Sequence, residues 1–122
     1  MRDEKLSKNF MRSEFACKGA GCCGGAAPVH PALVRLLQLI RDAVDEPVNV
    51  LSGFRCITHN NTIPGANPES YHTLGMAADI HVKGMAIKDL AATVARVIEL
   101  EGYGKMIAYE ARGFIHVDVR NY

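Results

Sequence analysis

Apolar residues recur along this chain at two spacings, and the change between them predicts where helices and strands lie. One set has helical spacing and consists of Leu33, Leu36, Leu37, Ile40 and Val44. Pro31 precedes it and suits the first position of a helix, so this set predicts a helix over residues 31–44. A second set predicts another helix over roughly 87–101 and consists of Ile87, Leu90, Ala91, Val94, Val97 and Ile98.

Shorter apolar runs predict the strands. Residues 48–51 and 76–82 each form one such run, and residues 105–109 and 114–119 form a terminal hairpin. Between the first two runs, residues 57–71 are rich in Asn, Pro and Gly, which indicates a long polar loop. Residues 1–29 are expected to be an arm with little regular structure. The pattern predicts a single domain, 1–122, of the α+β class, with two main helices against a small antiparallel sheet.

Alternation along the last strand separates a core face from a polar face. Ile115, Val117 and Val119 fall on one side, and His116 and Asp118 fall on the other. Since the aliphatic side must face the core, the histidine and the aspartate are predicted to face a cleft or a polar surface.

The same parity on residues 76–82 places Asp79 and His81 opposite Ala78 and Ile80. A sheet that brings His116 beside Asp79 would supply half of a metal site on rigid backbone. His72 would have to join these residues from the preceding loop.

A chain reversal between His72 and Asp79 is therefore needed, and Gly75 can adopt the positive φ that such a turn requires. Two histidines and one aspartate are ligands of the kind that hold a catalytic zinc, with the fourth position left open for water. His81 shares a face with Asp79 and could supply a fourth ligand, which would close the site and make it structural. His30 and His59 are expected to face solvent or to cap a helix.

Composition limits the classes of partner. The formal net charge is +1 and no two basic residues are adjacent, so binding to nucleic acid is not expected. No segment approaches the ~20 apolar residues of a membrane span, so no membrane partner is expected. The first ten residues lack the apolar core of a signal peptide, which predicts a protein that is cytoplasmic as synthesised unless lysis releases it. A monomer is expected.

The four cysteines are Cys17, Cys22, Cys23 and Cys56. Structural zinc sites made of four cysteines usually show two separated C-x2-C pairs, and this spacing lacks them. The spacing therefore favours packing thiols, or a local disulfide after release, over a second metal.

Three segments resemble one known family. Residues 70–79 (SYHTLGMAAD) resemble the S-x-H-x-x-G-x-A-x-D motif of the zinc D-Ala-D-Ala carboxypeptidase family. Residues 114–118 (FIHVD) are similar to its second motif, and residues 52–55 (SGFR) resemble its S-G-[YF]-R segment. The family shares a fold with lysostaphin-type peptidases and the hedgehog signalling domain. The arm and first helix resemble a short branch common in phages and bacteria.

The resemblance implies a role for each matching residue. His72, Asp79 and His116 would be the zinc ligands. His81 would not bind metal, because the family pattern does not use that position. Arg55 would bind a substrate carboxylate or carbonyl, with a structural salt bridge as the alternative. Ser70 would hydrogen-bond substrate or only shape the loop.

The general base is less clearly marked. Many members carry an acidic residue three positions before the last histidine, and here that position is Gly113. Glu110 has the offset found in hedgehog-type sequences and is the preferred base. Asp118 could also accept a proton, but is expected to support a histidine tautomer.

The implied activity is zinc-dependent hydrolysis of an amide bond in peptidoglycan stem peptides, by a D-Ala-D-Ala carboxypeptidase or an endopeptidase. Gly113 keeps open a second hypothesis, a zinc-binding recognition module without turnover. A metal-free structural domain is a third.

Overall fold

The computed structural model describes residues 3–122. Its strands are, in chain order, β1 (Lys5–Ser7), β2 (Phe10–Met11), β3 (Asn49–Ser52), β4 (Ala77–His81), β5 (Lys105–Tyr109) and β6 (Phe114–Asp118). Its helices are α1 (Pro31–Val44), α2 (Ile57–Asn60) and α3 (Ile87–Glu101). Short 3-10 turns lie at Arg12–Phe15, Tyr71–Leu74 and Glu110–Arg112. The predicted α+β class is confirmed.

Both main helices have the predicted bounds. α1 begins where the His30 side chain accepts a hydrogen bond from the Ala32 N–H at 3.0 Å, with Pro31 in the first turn. This confirms the capping role expected for His30. α3 ends at Gly102, whose φ of 79° is the left-handed conformation that glycine adopts most easily.

The main sheet has four antiparallel strands in the order β3-β4-β6-β5. Its core face carries Ala78, Ile80, Ile115 and Val117, all completely buried, and the two main helices complete this core. The alternation predicted for the last strand is therefore confirmed. β3 lies one residue later than predicted, and β4 and β6 are slightly shorter.

Residues 3–29 contain more structure than predicted. β1 and β2 pair as a small antiparallel hairpin, and the 3-10 turn Arg12–Phe15 follows. Phe10 and Phe15 are fully buried in the common core. Strands of three and two residues are too short to show a periodicity, which explains why the hairpin was not predicted. The assignment of 1–122 as one domain stays a prediction, and residues 1–2 lie outside the described part.

The polar loop predicted over 57–71 also differs, because α2 occupies its first four residues. The Cys56 sulfur caps this turn by accepting the His59 N–H at 3.3 Å. The rest of the loop, up to the 3-10 turn Tyr71–Leu74, has no helix or strand. Among residues 3–122, no helix has the length and apolar character needed to cross a bilayer.

Candidate metal centre

Strand pairing places two of the predicted ligands side by side. β4 and β6 pair in a register that sets Asp79 directly opposite His116. Residues opposite each other in an antiparallel pair hold their side chains on the same face, about 5 Å apart. Both side chains lie on the face opposite the Ile115–Val117 core, as the parity of the two strands predicted.

His72 reaches the same place from the 3-10 turn Tyr71–Leu74. The Ser70 hydroxyl caps this turn by accepting the His72 N–H at 3.2 Å. The chain then reverses at Gly75, whose φ is 70°, and enters β4. A side chain at Gly75 would also clash, because a Cβ there would lie 2.6 Å from the Pro28 carbonyl oxygen.

The three side chains converge on one point. Asp79 Oδ1 lies 3.2 Å from His72 Nε2 and 3.3 Å from His116 Nδ1. One potential ligand atom from each residue lies within 4.8 Å of the others. His72 is 1% exposed, and the side chains of the other two are also largely shielded from solvent. The arrangement matches the ligand set of a three-residue metal site.

The outer nitrogen of each histidine is already committed to an acceptor. His72 Nδ1 lies 2.8 Å from the Gly53 carbonyl oxygen, which can only accept, so this nitrogen carries the proton. His116 Nε2 lies 2.8 Å from Asp118 Oδ2. Because Asp118 is ionised, as its partners show below, His116 Nε2 is also a donor.

Asp118 is completely buried, and Arg120 holds it in the charged form. The Arg120 guanidinium contacts both carboxylate oxygens at 2.6–3.1 Å, and its backbone N–H donates to Oδ1 at 3.1 Å. Burial alone would raise the pKa of Asp118, but hydrogen bonds from His116 and Arg120 outweigh it and lower that pKa. Asp118 therefore orients His116. Its carboxylate is too enclosed to take a proton from a water molecule in the pocket.

The histidine nitrogens that face Asp79 and the Asp79 carboxylate bring several lone pairs close together. In the neutral rings, His72 Nε2 and His116 Nδ1 present lone pairs to Asp79, and an ionised carboxylate also only accepts. Burial would raise the pKa of Asp79, but when the inner histidine nitrogens hold a proton, the hydrogen bonds they donate and their charge lower that pKa to about 2. Burial would lower the pKa of His116, yet its bonds to Asp118 and Asp79 raise it. Only a cation, either a proton or a metal ion, satisfies three acceptors at this point.

A divalent metal ion fits this donor set. Two imidazole nitrogens and one carboxylate oxygen suit zinc, and both histidines are fixed in the required tautomer by partners outside the centre. Among the described residues, His81 is not one of the three that form this cluster.

A pocket of about 260 Å³ opens over the three ligands. Arg55 lines it and is partly buried, and its Nε has no hydrogen-bond partner within the described residues. Burial lowers the pKa of Arg55 while the charge of Asp79 opposes this. Arg55 makes no salt bridge to a described residue, which leaves the guanidinium free to bind an anionic group in the pocket.

Ser70 also lines the pocket, although its oxygen already caps the turn that carries His72. Its position is therefore compatible with both roles considered for it. Glu110 differs from expectation: its side chain is exposed at the start of the 3-10 turn Glu110–Arg112 and does not line the pocket. This turn follows β5 at the end of the hairpin.

Several pocket residues were not singled out in the sequence. The carboxylate among them is Glu69, and the aromatic ones are Tyr71, Tyr109 and Phe114. Glu69 stands directly before the 70–79 motif, so its proximity to the motif was the available signal. The rings belong to the turn and hairpin ends that frame the pocket.

Comparison with known proteins agrees with this geometry. The sequence profile of the peptidase M15 family matches residues 8–118. A stretch of 77 residues is 34% identical to the peptidoglycan L,D-endopeptidase MepK of Escherichia coli strain K12, covering 60% of this chain and 40% of that protein. The protein of the same name from Shigella flexneri matches to the same extent. The match thus spans well under half the length of these curated relatives.

One solved structure shares the fold. The L-Ala D-Glu endopeptidase ChiX of Serratia marcescens superposes with a TM-score of 0.59 and 21% sequence identity. The superposition covers 75% of this chain and 80% of that one.

Proposed function

Since this chain belongs to the peptidase M15 family, we propose that it is a zinc-dependent peptidase that hydrolyses an amide bond in bacterial cell-wall peptides. One observation carries the proposal: His72, Asp79 and His116 turn three acceptor atoms toward one point below an open pocket. The name of the relatives that match in sequence, peptidoglycan L,D-endopeptidase, supports the substrate class and favours the endopeptidase form over a D-Ala-D-Ala carboxypeptidase.

His72, Asp79 and His116 would hold the metal ion. A zinc ion with three protein ligands acts as a Lewis acid toward a carbonyl oxygen and lowers the pKa of water to about 7. Asp118 and the Gly53 carbonyl keep the two imidazoles oriented, which preserves their lone pairs for the metal.

Arg55 would position the substrate. Its guanidinium lies in the pocket wall, and its Nε has no hydrogen-bond partner among residues 3–122. Stem peptides carry free carboxylates that a guanidinium can bind. Ser70 would position His72 through its cap and could also donate its hydroxyl proton to the peptide.

A carboxylate at the pocket would take the proton from the attacking water and pass it to the leaving amine. Glu110 was preferred on its offset from His116, whereas Glu69 is the glutamate that lines the pocket. Gln replacements separate the two, because glutamine keeps the size of the side chain and removes the base. Whichever of Glu69→Gln and Glu110→Gln removes the general base should lose most of its turnover and keep its metal.

The competing hypothesis is a zinc-binding recognition module without turnover. Glycine at position 113 and the exposed side chain of Glu110 favour it, because neither supplies a base inside the pocket. It predicts that Glu69→Gln and Glu110→Gln have no activity to lose.

The test is a digest of purified peptidoglycan and its stem peptides, analysed by mass spectrometry. It compares zinc-loaded protein, protein in chelator and His72→Ala, with His81→Ala as the matched control on the same strand as Asp79. We expect zinc-dependent fragments from the first and the control only, and their masses identify the bond. Intact substrate from a folded, zinc-loaded protein would refute the peptidase and support the recognition module.

A further inference from the structure

The four cysteines come together at a second place in the fold. Cys17 Sγ lies 3.7 Å from Cys22 Sγ and 3.9 Å from Cys56 Sγ, and Cys22 and Cys23 Sγ are 3.8 Å apart. All four sulfur atoms lie within 4.8 Å of one another. The sequence spacing argues against a metal here, because it lacks two C-x2-C pairs. It cannot show that Cys56 packs against a segment more than thirty residues earlier in the chain.

We propose that these four thiols form a second, structural metal site for zinc or a similar thiophilic divalent ion. With zinc–sulfur bonds of about 2.3 Å, the edges of a regular ZnS4 tetrahedron are about 3.8 Å long. The three short sulfur–sulfur distances agree with that edge. A single disulfide would instead bring one pair together and leave the other two sulfurs apart.

The local backbone is shaped to bring the sulfurs inward. The Cys17 N–H donates to the Ala26 carbonyl at 2.8 Å and closes the cysteine-containing loop. At Gly19, a Cβ would lie 2.6 Å from Cys22 Sγ and 2.8 Å from the His59 ring, so only glycine allows this close approach. Gly21, with φ of 67°, adds a left-handed turn before Cys22.

Backbone N–H groups also point at the sulfurs, as is needed to stabilise thiolates. The His59 N–H donates to Cys56 Sγ at 3.3 Å. Burial would raise the pKa of Cys17, but hydrogen bonds from the backbone of Cys56 and Gly19 and from neighbouring thiols lower it to about 7. Hydrogen bonding to Cys56, with partial burial and the other thiols, raises the pKa of Cys22 to about 12.

Four crowded thiols resist releasing all of their protons without a cation, because each thiolate makes the next one harder to form. A bound divalent ion would remove that penalty, and each thiol would release its proton to solvent on coordination. Four protein ligands fill the tetrahedron and leave no position for water, so this site would be structural rather than catalytic.

The position of the site gives it a use. Cys17 lies two residues after the 3-10 turn Arg12–Phe15, and Cys56 directly follows Arg55 in the segment 53–56. The same two segments are already joined by the Phe54 N–H, which donates to the Phe15 carbonyl at 2.8 Å. Metal at the cysteines would therefore fix the residues 53–56 that carry both Arg55 and the carbonyl holding His72.

Metal analysis of the full chain, purified with zinc under reducing conditions, tests the site independently of the proposed function. Wild type should hold two zinc ions per chain, one for each cluster. His72→Ala should keep the cysteine-bound ion, and Cys17→Ser/Cys56→Ser should keep the other. His59→Ala, which alters a neighbour of the cluster that is not a ligand, should keep both. A single ion in wild type that disappears in His72→Ala would overturn the proposal.

Cobalt and thiol chemistry provide a second readout that needs no cysteine variant to fold. Cobalt-loaded His72→Ala should show the sulfur-to-metal charge-transfer absorption of a thiolate site, and a mercurial thiol reagent should release the metal. Thiol titration of the denatured, chelator-treated protein should find all four thiols. Absence of the charge-transfer band, or recovery of two thiols or fewer because a disulfide has formed, would contradict the site.

Discussion

At the level of single residues, two acceptors outside the candidate centre decide which nitrogen of each histidine faces inward. The Gly53 carbonyl fixes His72, and the buried Asp118 fixes His116. With the outer nitrogens acting as donors, the inner nitrogens of both histidines and the Asp79 carboxylate direct their lone pairs at one point. The claim that a metal ion binds there depends on it.

Asp118→Asn tests this orientation. The amide keeps the shape of the carboxylate, but it loses the charge that pairs with Arg120 and can present the wrong group to His116. We expect metal affinity at the centre to fall by roughly 10- to 100-fold. Competition against a chromophoric chelator measures it, with the exposed Asp89→Asn as control. Equal affinities in the two variants would show that Asp118 does not support the centre.

Arg55→Lys tests substrate positioning. Lysine keeps the charge and loses the planar fork, so we expect kcat/KM to fall about thirtyfold, mainly through KM, for a loss of about 2 kcal/mol. Arg35→Lys is the control, because Arg35 does not line this pocket and forms a surface ion pair with Glu101. A lower melting temperature with an unchanged KM would instead assign Arg55 a structural role.

Residue types and strand parity were sufficient to predict that Asp79 and His116 share a face. They were not sufficient to predict that Glu69 lines the pocket or that the four cysteines cluster. Glu69 lies in an irregular loop, where no periodicity tells which way a side chain points. The meeting of Cys17 with Cys56 depends on how two segments distant in sequence pack together.

At the level of elements, the reversal at Gly75 joins the turn carrying His72 to the strand carrying Asp79. The φ of 70° and the 2.6 Å approach to the Pro28 carbonyl act together there. Gly84 has a similar φ of 81° but open space around it. Comparing substitutions at the two glycines therefore separates the cost of the left-handed backbone from the cost of the steric clash.

Gly75→Ala should consequently lower the free energy of unfolding by more than Gly84→Ala does. The left-handed conformation alone costs a non-glycine residue about 1–2 kcal/mol, which is the loss expected at Gly84. The clash at Gly75 adds to that cost, and it should also weaken metal binding by displacing His72. Urea unfolding of both variants measures the difference, and equal losses would argue against the close approach to Pro28.

The long, regular elements were predictable because their apolar periodicity extends over several turns or a full strand. α1 and α3 were predicted with their observed bounds, and the pairing of β5 with β6 was also predicted. The hairpin of β1 and β2 and the single turn of α2 were not. The hairpin strands of three and two residues and the single turn of α2 are defined by tertiary contacts rather than by a pattern of their own.

At the level of the whole molecule, the N-terminal segment is part of the core. Phe15 is completely buried, and its ring packs against Phe10 with centroids 6.1 Å apart. A Cβ at Gly53 would lie 2.6 Å from the Phe15 Cα, so the segment presses directly on the strand end that leads to Arg55. Folding of this segment and the geometry of the pocket are therefore coupled.

Phe15→Ala should destabilise the protein by about 3–5 kcal/mol, the usual cost of removing a buried aromatic ring. Leu100→Ala is the control, since Leu100 is 68% exposed and should change stability little. Denaturant unfolding followed by circular dichroism gives both values. A small loss at Phe15 would mean that the segment is only loosely attached.

Restoration of activity by zinc is the decisive test of the metal centre. Protein stripped by a chelator is titrated with zinc while cleavage of a stem peptide is followed, in wild type, His116→Ala and the control His81→Ala. Activity should be absent at first and return in wild type and the control as metal binds, but not in His116→Ala. Full cleavage by the stripped protein, or by His116→Ala, would contradict a metal centre at His72, Asp79 and His116.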